Sequence, residues 1–330
     1  MSVTSPESAQ AQVQAATAVL HPASAAPRGR LRRILDSDLL YSFRRSPLVM
    51  LATLVAAVLL CAAFASPWLA PFDPYDLKSL QLIDSDTAPR WAKNGDPRFL
   101  LGTDDQGRDI LSTLLYGLRS SLLISMASVG LALLLGVTLG LIAGYFGGRL
   151  DTLIMRLADI QLTFPSILTA LLANGIVQVV LKGQLSRASN YAILVVSIGL
   201  SYWVQYARTV RSVTLVERNK DYVQAARLIG LSSRKIMFQH VLPNVLSPVL
   251  VIATINLALA IITEATLSFL GVGLPSAEPS LGTMIQIGNK YLFSGSWWMV
   301  AFPGVTLAVL VLAVNLVGDW LRDALNPRLR

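Results

Sequence analysis

Several runs of about twenty mostly apolar residues without interior charge dominate this chain, the length needed to cross a bilayer as a helix. In hydrocarbon each backbone N–H and C=O must be satisfied within its own segment, so such runs cross as helices and not as isolated strands. Six spans are predicted, near residues 48–70, 121–146, 153–180, 191–207, 245–270 and 298–317. The expected fold class is an all-α membrane protein with six transmembrane helices. Only 14% of the 330 residues are charged and 54% are hydrophobic, against about 25% charged in a soluble domain.

A net charge of +8 raises the question of nucleic acid, but the basic residues fall mainly in loops beside apolar runs. The excess of Lys and Arg in cytoplasmic loops accounts for that placement. Residues 1–47 hold six Arg and three acids, residues 71–118 hold eight Asp and five Lys or Arg, and residues 208–243 hold seven Lys or Arg and two acids. Both termini and the loop after the fourth span are therefore expected in the cytoplasm, with the acidic first loop outside and the lipid membrane as the surrounding partner. A lone cysteine, Cys61, excludes an intrachain disulfide, and His21 and His240 are too far apart in sequence to suggest a metal site. Residues 1–35 read as a disordered cytoplasmic tail ending in an arginine cluster. In the second span Gly136, Gly140 and Gly144 recur every four residues, a smooth face for close packing within the subunit or against a partner.

Residues 221–244, DYVQAARLIGLSSRKIMFQHVLPN, form a basic, patterned loop. Asp221 is expected to cap a helix starting at Tyr222. Gly230 is expected to stop it in a left-handed conformation. Ser232 or Ser233 then caps a second helix, and Pro243 marks the start of the fifth span. A two-turn helix is marginal alone in water and must gain stability by packing. Ala225 and Ala226 would allow close approach, and Arg227, Arg234 and Lys235 supply charge. A plain solvated basic loop would explain the charges, but not the glycine stop between two short helices.

The spacing of Gln224-Ala225-Ala226, Gly230 and Leu242-Pro243 resembles the EAA loop of type I ABC importer permeases. Gln224 stands where that pattern has Glu, and His240 where it has Ile, so shape and not a glutamate charge would carry the contact. The segments LGTDDQGRDILSTLLYGLRSSL at 101–122, Phe164-Pro165, Tyr206-Ala207-Arg208, LSFLGVG at 267–273 and GDWLRDALNPRLR at 318–330 are similar to C-type permeases of the dipeptide/oligopeptide/nickel family. Thr113 and Asn326 depart from the usual Arg and Asp.

The resemblance implies a type I ABC importer permease fold in a bacterial inner membrane. It also implies a B-type permease subunit as partner, two cytoplasmic ATPases that carry ATP and Mg, and an external solute-binding protein. Gln224, Ala225, Ala226, Arg227, Gly230, Leu242 and Pro243 would couple to an ATPase, and di- or oligopeptides or related solutes would be the cargo. The expected organisation is a tail (1–35), a region with the first span and outer loop (36–118), a five-helix transmembrane domain (119–317) with a coupling loop (208–243), and a cytoplasmic C-terminal tail (318–330).

The chain has no GxxxxGK[ST] phosphate loop, nor any Gly-Lys pair. No catalytic constellation, bound cofactor or metal cluster is expected. Asp104, Asp105 and Asp109 read as a solvated acidic loop, not a calcium site. Arg156 and Asp159 are spaced to pair on one helix face. Glu264 is an intramembrane acid: it either lines the pathway and attracts a cationic group, or bonds to a neighbouring helix end. Ser280 is placed to cap a short amphipathic helix bearing Leu281, Met284 and Ile285, expected at the outer surface. A self-contained secondary transporter would show internal repeats and broken helices. No repeat is found, and Phe164-Pro165 is the one hint of a break. A membrane scaffold would have no use for the patterned loop.

Overall fold

A computed structural model of the chain describes residues 38–76, 82–180 and 186–325. The predicted tail at 1–35 lies outside these. The chain divides into two units, residues 1–47 and 48–330. In the first, α1 (Asp38–Arg45) ends in Arg44 and Arg45, basic residues that complement a helix C-terminus.

The second unit holds α2 (Pro47–Phe64, from the boundary), α3 (Ser66–Leu69), α4 (Ile110–Phe146), α5 (Gly148–Leu162), α6 (Ser166–Val180) and α7 (Arg187–Glu217). After these come α8 (Asp221–Leu228), α9 (Ser233–Ile236), α10 (Leu242–Phe269), α11 (Leu281–Tyr291) and α12 (Trp298–Leu325). The described residues contain no strand, only one isolated bridge between Thr103 and Asp109.

Four stretches are long and apolar enough to cross a membrane: Pro47–Phe64, Ile110–Phe146, Ser233–Phe269 and Trp298–Ala324. A fifth is present if the bent pair α5–α6 counts as one span. The predicted third span is therefore not one straight helix: its halves meet at 97°. Pro165 has no N–H to continue the ladder and disfavours helical backbone at Phe164. The N–H groups of Thr163 and Phe164 turn instead to Ile160 and Gln161, three residues back. The predicted fourth run, 191–207, lies wholly inside α7 but falls short of the apolarity of the other spans. Tyr202, Tyr206, Ala207 and Val210 of α7 are buried by protein, so the helix needs less lipid-facing apolar surface.

The largest helix contact joins α4 to α7. Ser120 accepts a hydrogen bond from Tyr191 at 2.6 Å. Farther along, Gly136 faces Tyr206, Gly140 faces Ala207 and Val210, and Gly144 faces Thr214. Residue numbers rise together along both helices, so they run parallel in constant register. Two consecutive parallel crossings require the chain to return between them, which is the path α5–α6 takes. The glycine face thus packs within the subunit, by backbone approach: a Cβ on Gly140 would lie 2.4 Å from the Ala207 carbonyl oxygen.

Ion pairs cross helices where the sequence suggested local pairing. Asp159 binds Arg208 of α7 at 3.0 Å, not Arg156, and Asp151 binds Arg211 at 2.7 Å. The acidic loop is not solvated either. Asp104 and Arg108 form a buried pair at 2.6 Å, Arg108 also donates to the Ser276 carbonyl at 3.1 Å, and Asp109 caps α4 through the Ser112 N–H at 2.8 Å. Ser280 caps α11 in a full capping box with Thr283. Its apolar side faces protein: Leu281, Met284 and Ile287 are buried and Ile285 is half-buried, in contact with α4, α10 and α12, while Asn289 and Lys290 are exposed.

Replacing Gly140 with Val is expected to force α4 and α7 apart and to cost at least about 1–3 kcal/mol by overpacking. Gly130→Ala, where a Cβ meets nothing within 4 Å, is expected to be neutral or mildly stabilising. Thermal unfolding of the two purified variants in detergent would check this. Equal stability of both would disprove the glycine contact.

Candidate functional site

The loop at 221–244 is an ordered junction, not a flexible connection. α8 starts at Asp221 itself, with Lys220 as N-cap and no side-chain cap. Asp221 was expected to cap; it instead occupies the first turn, where its charge favours the helix N-terminus. The stop is a Schellman motif: Gly230 has φ of 81°, its N–H bonds to the Arg227 carbonyl at 3.0 Å, and the Leu231 N–H reaches the Ala226 carbonyl at 3.1 Å. Ser232 then sits at the N-cap of α9 without a side-chain bond. A π-helical turn, Met237–Val241, joins α9 to α10. This turn absorbs Pro243: Leu242 bonds back to Met237, and the carbonyl of His240 accepts the Asn244 side-chain amide at 3.0 Å.

Three long helices converge on α8. Val223 and Ala226 are buried in the same cluster as Ile236, Met237, Val241 and Val245. Tyr222 donates to Glu217 at the end of α7 and accepts from Asn244 of α10 at 3.0 Å, while Lys220 donates to Glu217 at 2.6 Å. Burial alone would raise the Glu217 pKa, but the bonds from Lys220 and Tyr222 outweigh it and hold the carboxyl below its ordinary 4.5. Burial, with the bond to Glu217, raises that of Tyr222, which stays a donor. Arg218 donates to the carbonyls of Gly144 at 2.9 Å and Tyr145 at 3.3 Å, closing the C-terminus of α4. Arg227 stands 5.2 Å from the Tyr145 ring centre.

The outward face of α8 is thereby fixed. Of the alanine pair, Ala226 is used inside and Ala225 is exposed. Gln224 turns back and donates to the Asn219 carbonyl at 3.0 Å, a bond a glutamate carboxylate could not make. Pro243 is exposed and Leu242 half-buried. The missed residues are Glu217 and Asn244, which anchor the helix, and Leu228 and Ile229, which are 88% and 76% exposed at its tip. Two adjacent large apolar residues ahead of a glycine stop were the available signal.

Glu264 is not part of this surface. It lies about 33 Å farther along α10, at helical rise, and has no exposed surface. Ser268 donates to it at 2.8 Å, and Ser121 and Ser280 face the same carboxyl. α11 presses onto α10 here: a Cβ on Gly282 would be 2.4 Å from the Ala265 carbonyl oxygen. This enclosure beneath the start of α11 fits the structural alternative, a bond at a neighbouring helix end.

The profile of a family described as "Binding-protein-dependent transport system inner membrane component" matches residues 136–330. The chain belongs to this family. A second profile, "N-terminal TM domain of oligopeptide transport permease C", matches residues 37–89. Among similar proteins, a di/tripeptide transport system permease protein of Pseudomonas aeruginosa is 44% identical over 83% of this chain and 85% of its own length. A dipeptide transport system permease protein of Escherichia coli is 41% identical over 87% and 91%. An oligopeptide transport system permease protein of Bacillus subtilis is 35% identical over 90% of each. An inward-facing structure of the MetNI methionine ABC transporter is similar in fold, with a TM-score of 0.50 and 20% identity over 65% of this chain and 96% of the other. This inner-membrane transport component therefore has the fold of an ABC importer permease.

Replacing Tyr222 with Phe removes the hydroxyl that joins α7, α8 and α10. The Asn244 amide and Glu217 each lose a partner, at about 1–3 kcal/mol. Amide exchange is expected to accelerate at 222–230 while α4 is unaffected. Unchanged protection of α8 would show that the network does not hold it.

Proposed function

We propose that this permease is the C-type membrane subunit of an ABC importer for di- or oligopeptides or closely related solutes, and that α8 is where separate ATPase subunits drive it. The observation that carries the reading is the apolar tip of Leu228 and Ile229, exposed next to Arg227 and ahead of Arg234 and Lys235 in the sequence, while Val223 and Ala226 of the same helix are buried. Exposed apolar residues rimmed by charge suit a protein partner. The names of its relatives support peptides as the cargo.

In this reading a B-type permease completes the pathway, two ATPases bind ATP and Mg, and a solute-binding protein delivers cargo from outside. The lysine and arginine excess at 208–243 supports a cytoplasmic α8, with both termini on that side and the acidic loop outside. Gln224, Ala225, Ala226, Arg227 and Gly230 form or shape the contact, with Leu242 and Pro243 at its base. Closure of the ATPases on ATP displaces α8. Its Tyr222 bonds carry that displacement to α7 and α10, and Arg218, at the end of α7, passes it to α4, because packed helices shift as units. Glu264 acts as an internal strut between α4, α10 and α11.

Gly230→Val is expected to strain the left-handed stop and abolish ATP-dependent uptake in proteoliposomes, with membrane insertion intact. Gly230→Asn, which tolerates that conformation, should retain most uptake. Joint replacement of Leu228 and Ile229 by Asp should release the ATPases on purification. Full uptake with both replaced, or uptake without ATP, would sink the coupling role. The latter would favour a self-contained transporter, to which the 97° break in α5–α6 would then belong.

A further inference from the structure

At the opposite end of α7 from α8, a cavity of 810 Å³ opens between the loop after α3, the first turns of α4 and the start of α7. This is within the range of about 300–1,000 Å³ usual for small-molecule sites. Tyr116, Arg119 and Ser120 on its wall come from the distinctive 101–122 segment, which the coupling surface does not use.

The cavity wall has unused donors. The Nε of Arg119 is enclosed and bonds to nothing among the described residues. No acid among them lies within ion-pair distance of Arg119, unlike Arg98, Arg108, Arg208 and Arg211. Leaving an enclosed donor of a charged group unpaired is costly. The Tyr75 hydroxyl is also enclosed, facing Ser120 on the same wall, and burial raises its pKa to about 12, so it stays a protonated donor. Arg187 lies 4.0 Å over the Tyr75 ring and 3.6 Å from Glu278, an ion pair too long for a hydrogen bond. Its guanidinium also bonds to the Tyr191 side chain, which does not exhaust its five N–H donors. It is also the first residue of α7, where the helix dipole favours an anion. Asp73 faces the same space and supplies one negative charge.

We propose that this cavity binds a zwitterionic peptide-class solute, its terminal carboxylate held by Arg119 with Arg187 and Tyr75, and its ammonium group answered by Asp73. The assignment of peptide rests on the proposed function. The anion chemistry does not, and the phosphate of an anionic lipid headgroup shares it.

The test uses the complete membrane assembly, with its co-purified subunits but no binding protein, in phosphatidylcholine nanodiscs. Equilibrium binding of dialanine and of dialanine amide is compared. Dialanine is expected to bind at least about tenfold more tightly, the value of one charge-assisted hydrogen bond. Arg119→Gln should remove that preference, and Arg119→Lys should restore part of it. Co-purification of partner subunits and the basal ATPase rate are expected to be unchanged in both variants, which controls for folding. Equal binding of acid and amide, or a preference that survives Arg119→Gln, would overturn the proposal. So would Arg119-dependent retention of phosphatidylglycerol that dialanine cannot displace, since the anion would then be a lipid phosphate. Peptide uptake in vesicles supplied with binding protein is scored separately: its absence in the wild type would sink the peptide-importer reading, whatever Arg119 does.

Discussion

Direct backbone contact between α4 and α7 is the constraint on which the rest of the transmembrane unit depends. Gly136, Gly140 and Gly144 leave one face of α4 without side chains, and α7 settles onto it at distances a Cβ would forbid. In a membrane, where lipid is as apolar as leucine, such close packing replaces the hydrophobic effect as the force that joins helices. Because the two helices run parallel, the chain must come back between them. The bent α5–α6 pair makes that return and is tied to α7 by the Asp151–Arg211 and Asp159–Arg208 pairs.

Parallel packing also brings like ends together. The C-terminal ends of α4 and α7 meet at α8, where Arg218 closes the last carbonyls of α4 and Glu217 anchors Tyr222. The N-terminal ends meet at the cavity holding Arg119 and Arg187. A displacement of α8 therefore acts on a rigid pair of helices whose far ends frame the proposed solute site. α8 is only eight residues long and would not persist alone. Its stability comes from two buried side chains, a Schellman stop and one tyrosine hydroxyl shared by two neighbouring helices.

Much of this was legible locally. Apolar runs located the spans in α2, α4, α10 and α12. Gly230 announced its own stop, because a left-handed residue is a property of one position. Ser280 and Thr283 formed their capping box from adjacent sequence. Apart from Asp221, which starts α8 instead of capping it, and Asp104, which pairs with Arg108 four residues on, the misreadings concern partners distant in sequence. Asp159 looked free to pair with Arg156 and chose Arg208. Asp104 looked solvated and lies buried on Arg108. The apolar side of α11 was open to lipid or protein by its sequence and packs on protein. α7 holds the predicted fourth run, and its Ser197, Ser201, Tyr202, Tyr206 and Thr214 are covered by protein.

The sequence by itself determined that the chain crosses a membrane as helices, where the 221–244 loop turns, and the family it resembles. These rest on hydrophobicity, backbone conformation and spacing, which act over a few residues. Only the tertiary structure decided that α4 and α7 run parallel, that the break hinted at by Phe164-Pro165 opens to 97°, and that Glu264 is sealed among serines. It also decided which face of α8 is free. Those outcomes depend on which helix covers which, and burial against a distant partner leaves no local mark in the chain.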